Sequence, residues 1–319
     1  MSTPPASPTA TSPLLAWLRL LRAPNVFTAI ADIAMGYLVV QNSYEPWGLF
    51  ACLALASAFL YTAGMVLNDV FDIDIDAQER PFRPLPSGQI ALPLARTIGF
   101  ALLIAGVVFG GLAGAAYAHP SVAWRSGAVA VLLAGSVLLY DGWLKRLPIG
   151  PLGMGLCRFF NVLLGMSIAP SAAGYFLGFE ARHLLPAAGI GVYVVGVTIF
   201  AKGEAGQSSV RTLIAGMVVM TAGVAVLGWA GQYIGRQDVS IQTYWLLLAV
   251  LLAILLRRCL AALFDPSPGN VQAGVKNGIV SLILFDAAVA LVSAHPIYAL
   301  GIVLLLAPML VLGRWVYST

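Results

Sequence analysis

Long apolar runs separated by short polar segments make up most of the chain. Runs of this length cross a bilayer only as helices, because lipid offers the backbone no hydrogen-bond partners. The pattern predicts an all-α, polytopic membrane bundle with nine spans, and the last apolar run, at residues 297–312, is a candidate tenth. The nine spans are predicted at residues 24–40, 47–67, 92–118, 123–140, 149–174, 184–200, 210–230, 243–264 and 278–293.

The two ends of the chain differ in composition. Residues 1–13 are rich in Pro, Ser and Thr, which predicts a disordered tail, and residues 14–319 are predicted to form a single integral-membrane domain. The mean hydropathy of +0.91 and the hydrophobic fraction of 60% exclude a soluble domain. The net charge of +4 gives no support to a nucleic-acid partner, because the basic residues lie beside the spans.

Basic residues are distributed unequally between the two sides of the predicted bundle. With the N-terminus inside, only Arg125, Arg182 and Arg236 fall in outer segments, and Arg314 depends on whether the tenth span exists. The pattern predicts a multi-pass cell-membrane protein with the segment after the second span on the cytoplasmic side. The inner residues are Arg19, Arg22, Arg80, Arg83, Arg96, Lys145, Arg146, Arg158, Lys202, Arg211, Arg257, Arg258 and Lys276.

An acidic stretch follows the second span. If the helix continues through it, Asp69, Asp72 and Asp76 share one face, whereas Asp74 points away into solvent. Three carboxylates on one face repel each other unless a cation lies between them, and ligands that are all oxygens favour Mg²⁺ or Ca²⁺. Arginines follow at positions 80 and 83, and guanidinium groups suit phosphate oxygens. The stretch therefore predicts a diphosphate site.

The run from Asn68-Asp69 through Asp72 and Asp76, followed by Arg80-Pro81-x-Arg83-Pro84, resembles the first motif of the UbiA family of intramembrane prenyltransferases. The resemblance covers about residues 20–293. It implies an enzyme that moves an isoprenyl group from a prenyl diphosphate to an aromatic or other lipophilic acceptor within the membrane, with Mg²⁺ as cofactor. It also implies that the metal and diphosphate cluster consists of Asn68, Asp69, Asp72 and Asp76.

Other polar residues receive roles from the same resemblance. Tyr140 and Lys145 are similar to the family's tyrosine–lysine element, with one extra residue between them, and are expected to be catalytic together with Asp69 and Asp72. The expected diphosphate-binding residues are Asn25, Asn68, Arg80, Arg83, Lys145, Arg158, Asn161 and Lys202.

The loop after the sixth span departs from the family pattern. A second aspartate motif is expected there, but Glu204 is its only carboxylate and becomes the candidate ligand of a second metal. This loop, together with Arg158-x-x-Asn161, resembles the EboC-like branch of the family. Two alternatives stay open: a prenyl-diphosphate- or lipid-binding relative that is non-catalytic or altered, and a transporter. A transporter would use Asp32 and Asp286, the carboxylates inside spans, which we otherwise expect to be structurally paired.

Overall fold

The structure, a computed structural model, describes residues 12–116, 121–170, 175–203, 208–234 and 239–316. Within these ranges the regular structure is entirely helical, with short 3₁₀ turns at Ala23–Asn25, Leu144–Arg146 and Phe176–Gly178. The α-helices are α1 Pro13–Leu20, α2 Val26–Gln41, α3 Trp47–Phe71, α4 Ile73–Glu79, α5 Leu92–Ala116, α6 Arg125–Gly142, α7 Gly150–Gly165, α8 Ala181–Phe200, α9 Val210–Ile234, α10 Ile241–Phe264, α11 Pro268–Ser293, α12 Pro296–Leu304 and α13 Leu306–Leu312.

The membrane bundle is confirmed, and its helices differ in how well their length and composition suit a membrane span. Within the described ranges, seven helices are long and apolar enough to cross a membrane: α2 with its preceding turn, α3, α5, α8, α9, α10 and α11. The predicted fourth and fifth spans are α6 and α7, which have 18 and 16 residues and pack between the others. The prediction of nine is therefore approximate.

Two helices differ from the sequence prediction. The short helix α1 was not predicted; it buries Ala16 and Leu20, and its first residue, Pro13, falls in the predicted tail, whose residues 1–11 lie outside the described ranges. The last long helix, α11, begins at Pro268 instead of residue 278, because proline is well suited to the first turn of a helix.

The candidate tenth span is two short helices, α12 and α13, of 9 and 7 residues. Pro308 lacks an N–H and its ring would clash with the carbonyl of Leu304, the residue at which α12 ends. Neither piece alone is long enough to cross a hydrocarbon core of about 30 Å.

Six helices form a closed ring around the interior. In order of contact they are α2, α3, α6, α7, α8 and α11, and α2 also packs directly on α7 across the ring. The helices α5, α9 and α10 pack on the outside of this ring and expose large apolar side chains such as Ile104, Val218 and Leu246. This surface suits lipid, and the ring leaves room for an internal cavity.

The contact between α2 and α7 depends on a glycine. A Cβ atom on Gly165 would lie 2.7 Å from the carbonyl oxygen of Ile33 and 2.9 Å from its Cα atom. The two backbones approach this closely because position 165 has no side chain, and Gly36 on α2 likewise would place a Cβ atom 2.7 Å from Val162 O. This approach brings polar side chains of α7 within reach of α2.

Arg125, which the sequence placed in an outer segment, is fully buried at the start of α6. Its guanidinium donates to the backbone carbonyls of Ser167 at 2.7 Å, Gly178 at 3.4 Å and Ala169, and lies 4.6 Å from the ring centroid of Phe179. A buried arginine whose donors are satisfied by carbonyls serves the fold.

Candidate active site

The acidic stretch continues the line of α3 past a break. The α-helix α3 ends at Phe71, Asp72 has φ −98° and ψ 10°, and α4 then runs from Ile73 to Glu79. Backbone bonds nevertheless continue through the break, because the N–H of Asp72 donates to Asn68 O at 3.0 Å and that of Asp76 donates to Asp72 O at 2.8 Å. The helical phase is retained across the junction.

This phase separates the carboxylates by exposure. Asp69 and Asp76 are buried, Asp72 is half-buried and Asp74 is exposed. The first three therefore face the protein, as expected for positions spaced three and four residues apart, and Asp74 faces solvent.

Cations from three other segments neutralise the three inward carboxylates. Arg83 Nη1 lies 2.6 Å from Asp76 Oδ2 and 3.3 Å from Asp69 Oδ1. Arg22 Nη2 also approaches Asp69 Oδ1, at 3.4 Å. On the other side, Lys145 Nζ lies 2.7 Å from Asp72 Oδ2. The repulsion expected among the carboxylates is thus balanced by protein side chains.

Lys145 owes its position to the turn that follows α6. The 3₁₀ turn Leu144–Arg146 carries it toward the end of α3, where Nζ also donates to Asn68 Oδ1 at 3.1 Å. Asn68, Asp72 and Lys145 consequently form one polar group, although residue 145 lies more than 70 positions further along the chain.

The metal ligands predicted from sequence are not gathered around one point. In the described parts of the chain, no three His, Cys, Asp or Glu side chains are close enough to hold a metal ion, because the carboxylate oxygens are turned toward Arg83, Arg22 and Lys145. The remaining predicted ligand, Glu204, lies outside the described residues. In their chemistry, the oxygen donors of Asp69, Asp72 and Asp76 suit a hard cation.

A cavity of about 420 Å³ begins at this acidic stretch and runs into the ring of helices. We call one end of it the polar end, which is lined by Arg22, Asn68, Asp72, Arg80, Arg83, Tyr140, Asp141 and Lys145. The rest of the wall is mostly apolar and includes Leu60, Leu133, Val194, Val275 and Leu282. The cavity can therefore hold an amphiphile with an anionic head and an apolar tail.

The structure brings most of the predicted site residues to this cavity. Those in its lining are Asn25, Asn68, Asp72, Arg80, Arg83, Tyr140, Lys145, Arg158 and Asn161. Asp69 and Asp76 lie behind Arg83, to which both are bonded. Lys202 is not among the residues that line the cavity, and it is exposed just after the end of α8.

Sequence reasoning missed four polar residues in the lining: Arg22, Tyr61, Asp141 and Thr198. Arg22 was counted only as a basic residue before the first span, but its backbone adopts φ 44° and ψ 47° between α1 and the next turn, and its side chain reaches Asp69. Asp141 follows the predicted tyrosine directly, so a carboxylate adjoining Tyr140 was the available signal.

A second ionic group, which we call the inner cluster, consists of Asp32, Arg158, Asn161 and Asp286. Arg158 Nη1 donates to Asp32 Oδ2 at 2.9 Å, and Asn161 Nδ2 donates to the same oxygen at 2.8 Å. Both acids are fully buried, and the carboxyl group of Asp286 on α11 lies against that of Asp32 on α2. The expected pairing of the two intramembrane acids is thus a four-residue cluster joining α2, α7 and α11.

The inner cluster lies well away from the acidic stretch. The guanidinium of Arg158 lies 5.5 Å from the ring centroid of Tyr61, which is eight residues before Asp69 on α3. Eight residues correspond to about 12 Å along a helix axis. Arg158 therefore faces the cavity about two helical turns inward from the carboxylates of α3.

Together these features define a class: an integral-membrane helical bundle whose internal cavity has a charged end and a mostly apolar wall. The model of the UbiA prenyltransferase family matches residues 29–266, which is most of the chain. The chain belongs to the UbiA prenyltransferase family.

Individual curated relatives resemble the chain over part of their sequence. The digeranylgeranylglyceryl phosphate synthase of Saccharolobus solfataricus is 35% identical over 94 residues, 30% of this chain and 33% of that protein. Curated relatives of this kind are matched over about a third to a half of their length.

Two solved structures share the fold. An apo UbiA homologue from Aeropyrum pernix K1 has a TM-score of 0.62 at 17% identity, covering 83% of this chain and 97% of that one. A UbiA homologue from Archaeoglobus fulgidus bound to GPP and Mg²⁺ has a TM-score of 0.56 at 15% identity, covering 90% and 99%. At these identities the similarity establishes the fold.

Proposed function

We propose that the protein transfers an isoprenyl group from a prenyl diphosphate to a lipophilic acceptor within the membrane, in a Mg²⁺-dependent reaction. The observation that carries this proposal is the cavity, which joins a cluster of cations and carboxylates to a long apolar wall. The relatives support it, because one is a digeranylgeranylglyceryl phosphate synthase and another binds GPP and Mg²⁺.

The polar end has the side chains that a diphosphate requires. Arg80, Arg83 and Lys145 line it, and their N–H groups can donate charge-assisted hydrogen bonds to phosphate oxygens. Asp69, Asp72 and Asp76 supply the oxygen donors for Mg²⁺, and Glu204 is the proposed additional ligand. A bound Mg²⁺ would supply positive charge that stabilises the leaving diphosphate.

The reaction breaks one bond and forms another. The allylic C–O bond breaks with its electron pair leaving on diphosphate, a nucleophilic atom of the acceptor bonds to the allylic carbon, and the acceptor releases a proton. Lys145 and Arg80 stabilise the negative charge on the leaving group. Tyr140, in the wall beside them, positions the allylic end.

The apolar wall has two roles in this proposal. It buries the isoprenyl tail, and it excludes water, which would otherwise hydrolyse the activated allylic group. The walls contributed by α3, α6, α8 and α11 are mostly aliphatic, for example at Leu60, Leu133, Val194 and Leu282.

We also propose that the polar end faces the cytoplasm in the cell membrane. The excess of basic residues on the side of the acidic stretch supports this orientation. The prenyl diphosphate would then enter from the cytoplasmic side, and the acceptor would come from the bilayer.

A second candidate is a relative that binds a prenyl diphosphate without turnover. One observation favours it: Arg83 and Lys145 already bond to the carboxylate oxygens that a metal would use. In that protein the cations would bind the diphosphate, and no metal would assist its departure.

The proposal is tested with Asp72→Ala and its matched control Asp74→Ala, which removes an exposed carboxylate from the next turn. Binding of radiolabelled geranyl diphosphate to purified protein is measured with and without Mg²⁺. We expect Asp72→Ala to weaken Mg²⁺-dependent binding about 100-fold, which corresponds to about 2.7 kcal/mol, and Asp74→Ala to leave it unchanged.

Two results would decide against transfer. Equal binding by Asp72→Ala and wild type would show that Asp72 does not belong to a Mg²⁺-dependent diphosphate site. Tight binding by wild type, with no diphosphate released in membrane extracts supplied with prenyl diphosphates of several lengths, would favour the binding relative.

A further inference from the structure

The inner cluster has donors that the fold itself does not use. The guanidinium of Arg158 donates one N–H to Asp32 Oδ2 at 2.9 Å and one to Thr28 Oγ1 at 2.7 Å. A guanidinium has five N–H donors, and the described residues provide no hydrogen-bond acceptor for the other three. Since Arg158 lines the cavity, these donors are available to a bound molecule.

The neighbouring polar groups hold Arg158 in place. Asn161 Nδ2 donates to Ala29 O at 3.0 Å as well as to Asp32, and its Oδ1 accepts from Ser57 at 2.7 Å. With these bonds Asn161 has used both N–H groups, so Arg158 is the main donor that the inner cluster directs into the cavity.

The carboxyl groups of Asp32 and Asp286 determine the charge of this site. Asp32 Oδ1 and both oxygens of Asp286 have no hydrogen-bond donor among the described residues, and the two groups face each other. Two ionised carboxylates in contact in an apolar interior would repel strongly, whereas one shared proton gives an O–H···O bond between them. With that proton on Asp286, Arg158 and Asp32 form a neutral pair.

We propose that Arg158, Asp32 and Asp286 form a charge-neutral polar site at the inner side of the cavity that binds an uncharged oxygen of the acceptor, such as a hydroxyl or carbonyl group. The inference rests on the proposed function, because it identifies the polar group of that reaction's acceptor. An anionic ligand at this site would add a second negative charge beside that of Asp32, with no cation to balance it, and such a charge deep in the membrane is costly.

The location of the site fits this role. It lies about 12 Å inward from the carboxylates of α3, so an acceptor held there would not compete with the diphosphate for the cations of the polar end. The apolar wall between the two sites leaves room for the allylic chain.

The test uses two probes with the same naphthalene ring: 2-naphthol, which is uncharged, and 2-naphthoate, which is an anion. Binding to the full-length protein in lipid nanodiscs is measured by equilibrium dialysis, with empty nanodiscs subtracted. We expect wild type to bind 2-naphthol at least about tenfold more tightly than 2-naphthoate, and Arg158→Gln to lose the 2-naphthol signal.

Variants of the two acids separate charge from shape. Asp32→Asn removes the negative charge beside Arg158, so its affinity for 2-naphthoate should rise about tenfold. Asp286→Asn replaces a protonated acid by a neutral amide and should keep the wild-type preference, as should the exposed control Asp74→Asn. The infrared difference spectrum between wild type and Asp286→Asn should also contain a C=O band of a protonated carboxyl, because all other carboxyl groups cancel in the difference.

Three results would overturn the inference: equal binding of both probes by wild type, a shift in Asp286→Asn like that in Asp32→Asn, or no protonated-carboxyl band in the difference between wild type and Asp286→Asn. If Asp32→Asn does not fold, the wild-type preference and the infrared band still decide. Geranyl diphosphate binding is also measured on every variant. Its absence in wild type would contradict the proposed function, whereas the results with the two probes test the inner cluster alone.

Discussion

The polar end and the inner cluster both pair carboxylates with cations, but they differ in their access to solvent. At the polar end the side chains of Arg22, Asp72 and Lys145 are 25%, 19% and 12% exposed. In the inner cluster Asp32 and Asp286 have no exposed surface. Solvent therefore screens the ion pairs at the polar end more strongly than those in the inner cluster.

This difference separates what each group can do. Near solvent, an ion pair contributes little net stability, so its partners can be exchanged for a ligand at low cost. Inside the membrane, removal of one partner leaves a buried charge without compensation. The polar end is suited to binding and releasing ions, whereas the inner cluster is suited to holding helices and one donor in place.

The largest effect is expected from Arg158→Met, which keeps an unbranched but shorter side chain and removes its charge. Asp32 would lose its counter-ion in an apolar interior, and we expect a loss of about 3–5 kcal/mol in the free energy of unfolding. The measurement is reversible unfolding in mixed micelles with increasing denaturing detergent. Arg158→Lys, which restores a charge, is the control, and a loss below about 1 kcal/mol in Arg158→Met would show that the inner pair does not stabilise the fold.

A smaller effect is expected from Gly165→Ala. The added methyl group would press on the backbone of Ile33 and separate α2 from α7, which overpacks the contact at a cost of about 1–3 kcal/mol. The same unfolding assay checks this, with Gly135→Ala on α6 as the matched control because its Cβ meets nothing within 4 Å. Equal stability of the two variants would mean that the α2–α7 approach is not tight.

The smallest effect is expected at the polar end, from Arg83→Met. The loss of its bonds to Asp69 and Asp76 should cost about 1–2 kcal/mol, less than in the inner cluster because Asp69 keeps its contact with Arg22 at 3.4 Å. Since a divalent cation can take the place of the guanidinium, added Mg²⁺ should raise the melting temperature of this variant more than that of wild type. An equal Mg²⁺ response in both proteins would contradict the view that the polar end exchanges its cations.

The sequence predicted the class of fold because membrane helices follow directly from apolar length. Their ends were harder to predict where local rules compete with hydropathy. Proline at position 268 starts α11 within a polar segment, and proline at position 308 divides an apolar run that reads as continuous. The helix α1 is short and is stabilised by packing near Val66 and Leu85, which no local pattern shows.

The site was predictable where its residues are close in sequence. The spacing of Asp69, Asp72 and Asp76 places them on one side of a nearly continuous helix, and a single motif supplies Arg80 and Arg83. The pairs formed by residues far apart, such as Arg158 with Asp32 across 126 positions, depend on the packing of α7 on α2 and were not predictable by spacing. The predicted roles at Glu204 and Lys202 remain predictions.

The hydrogen bonds from the buried Arg125 to backbone carbonyls have a consequence for the synthesis of the protein. Its carbonyl partners at Ser167, Ala169 and Gly178 are 42 to 53 residues later in the chain, so they are synthesised after α6 has left the ribosome. Until they emerge, the insertion machinery must shelter a charged side chain at the end of a newly inserted segment. Assembly of α6, α7 and the start of α8 is therefore expected to be coupled during biogenesis.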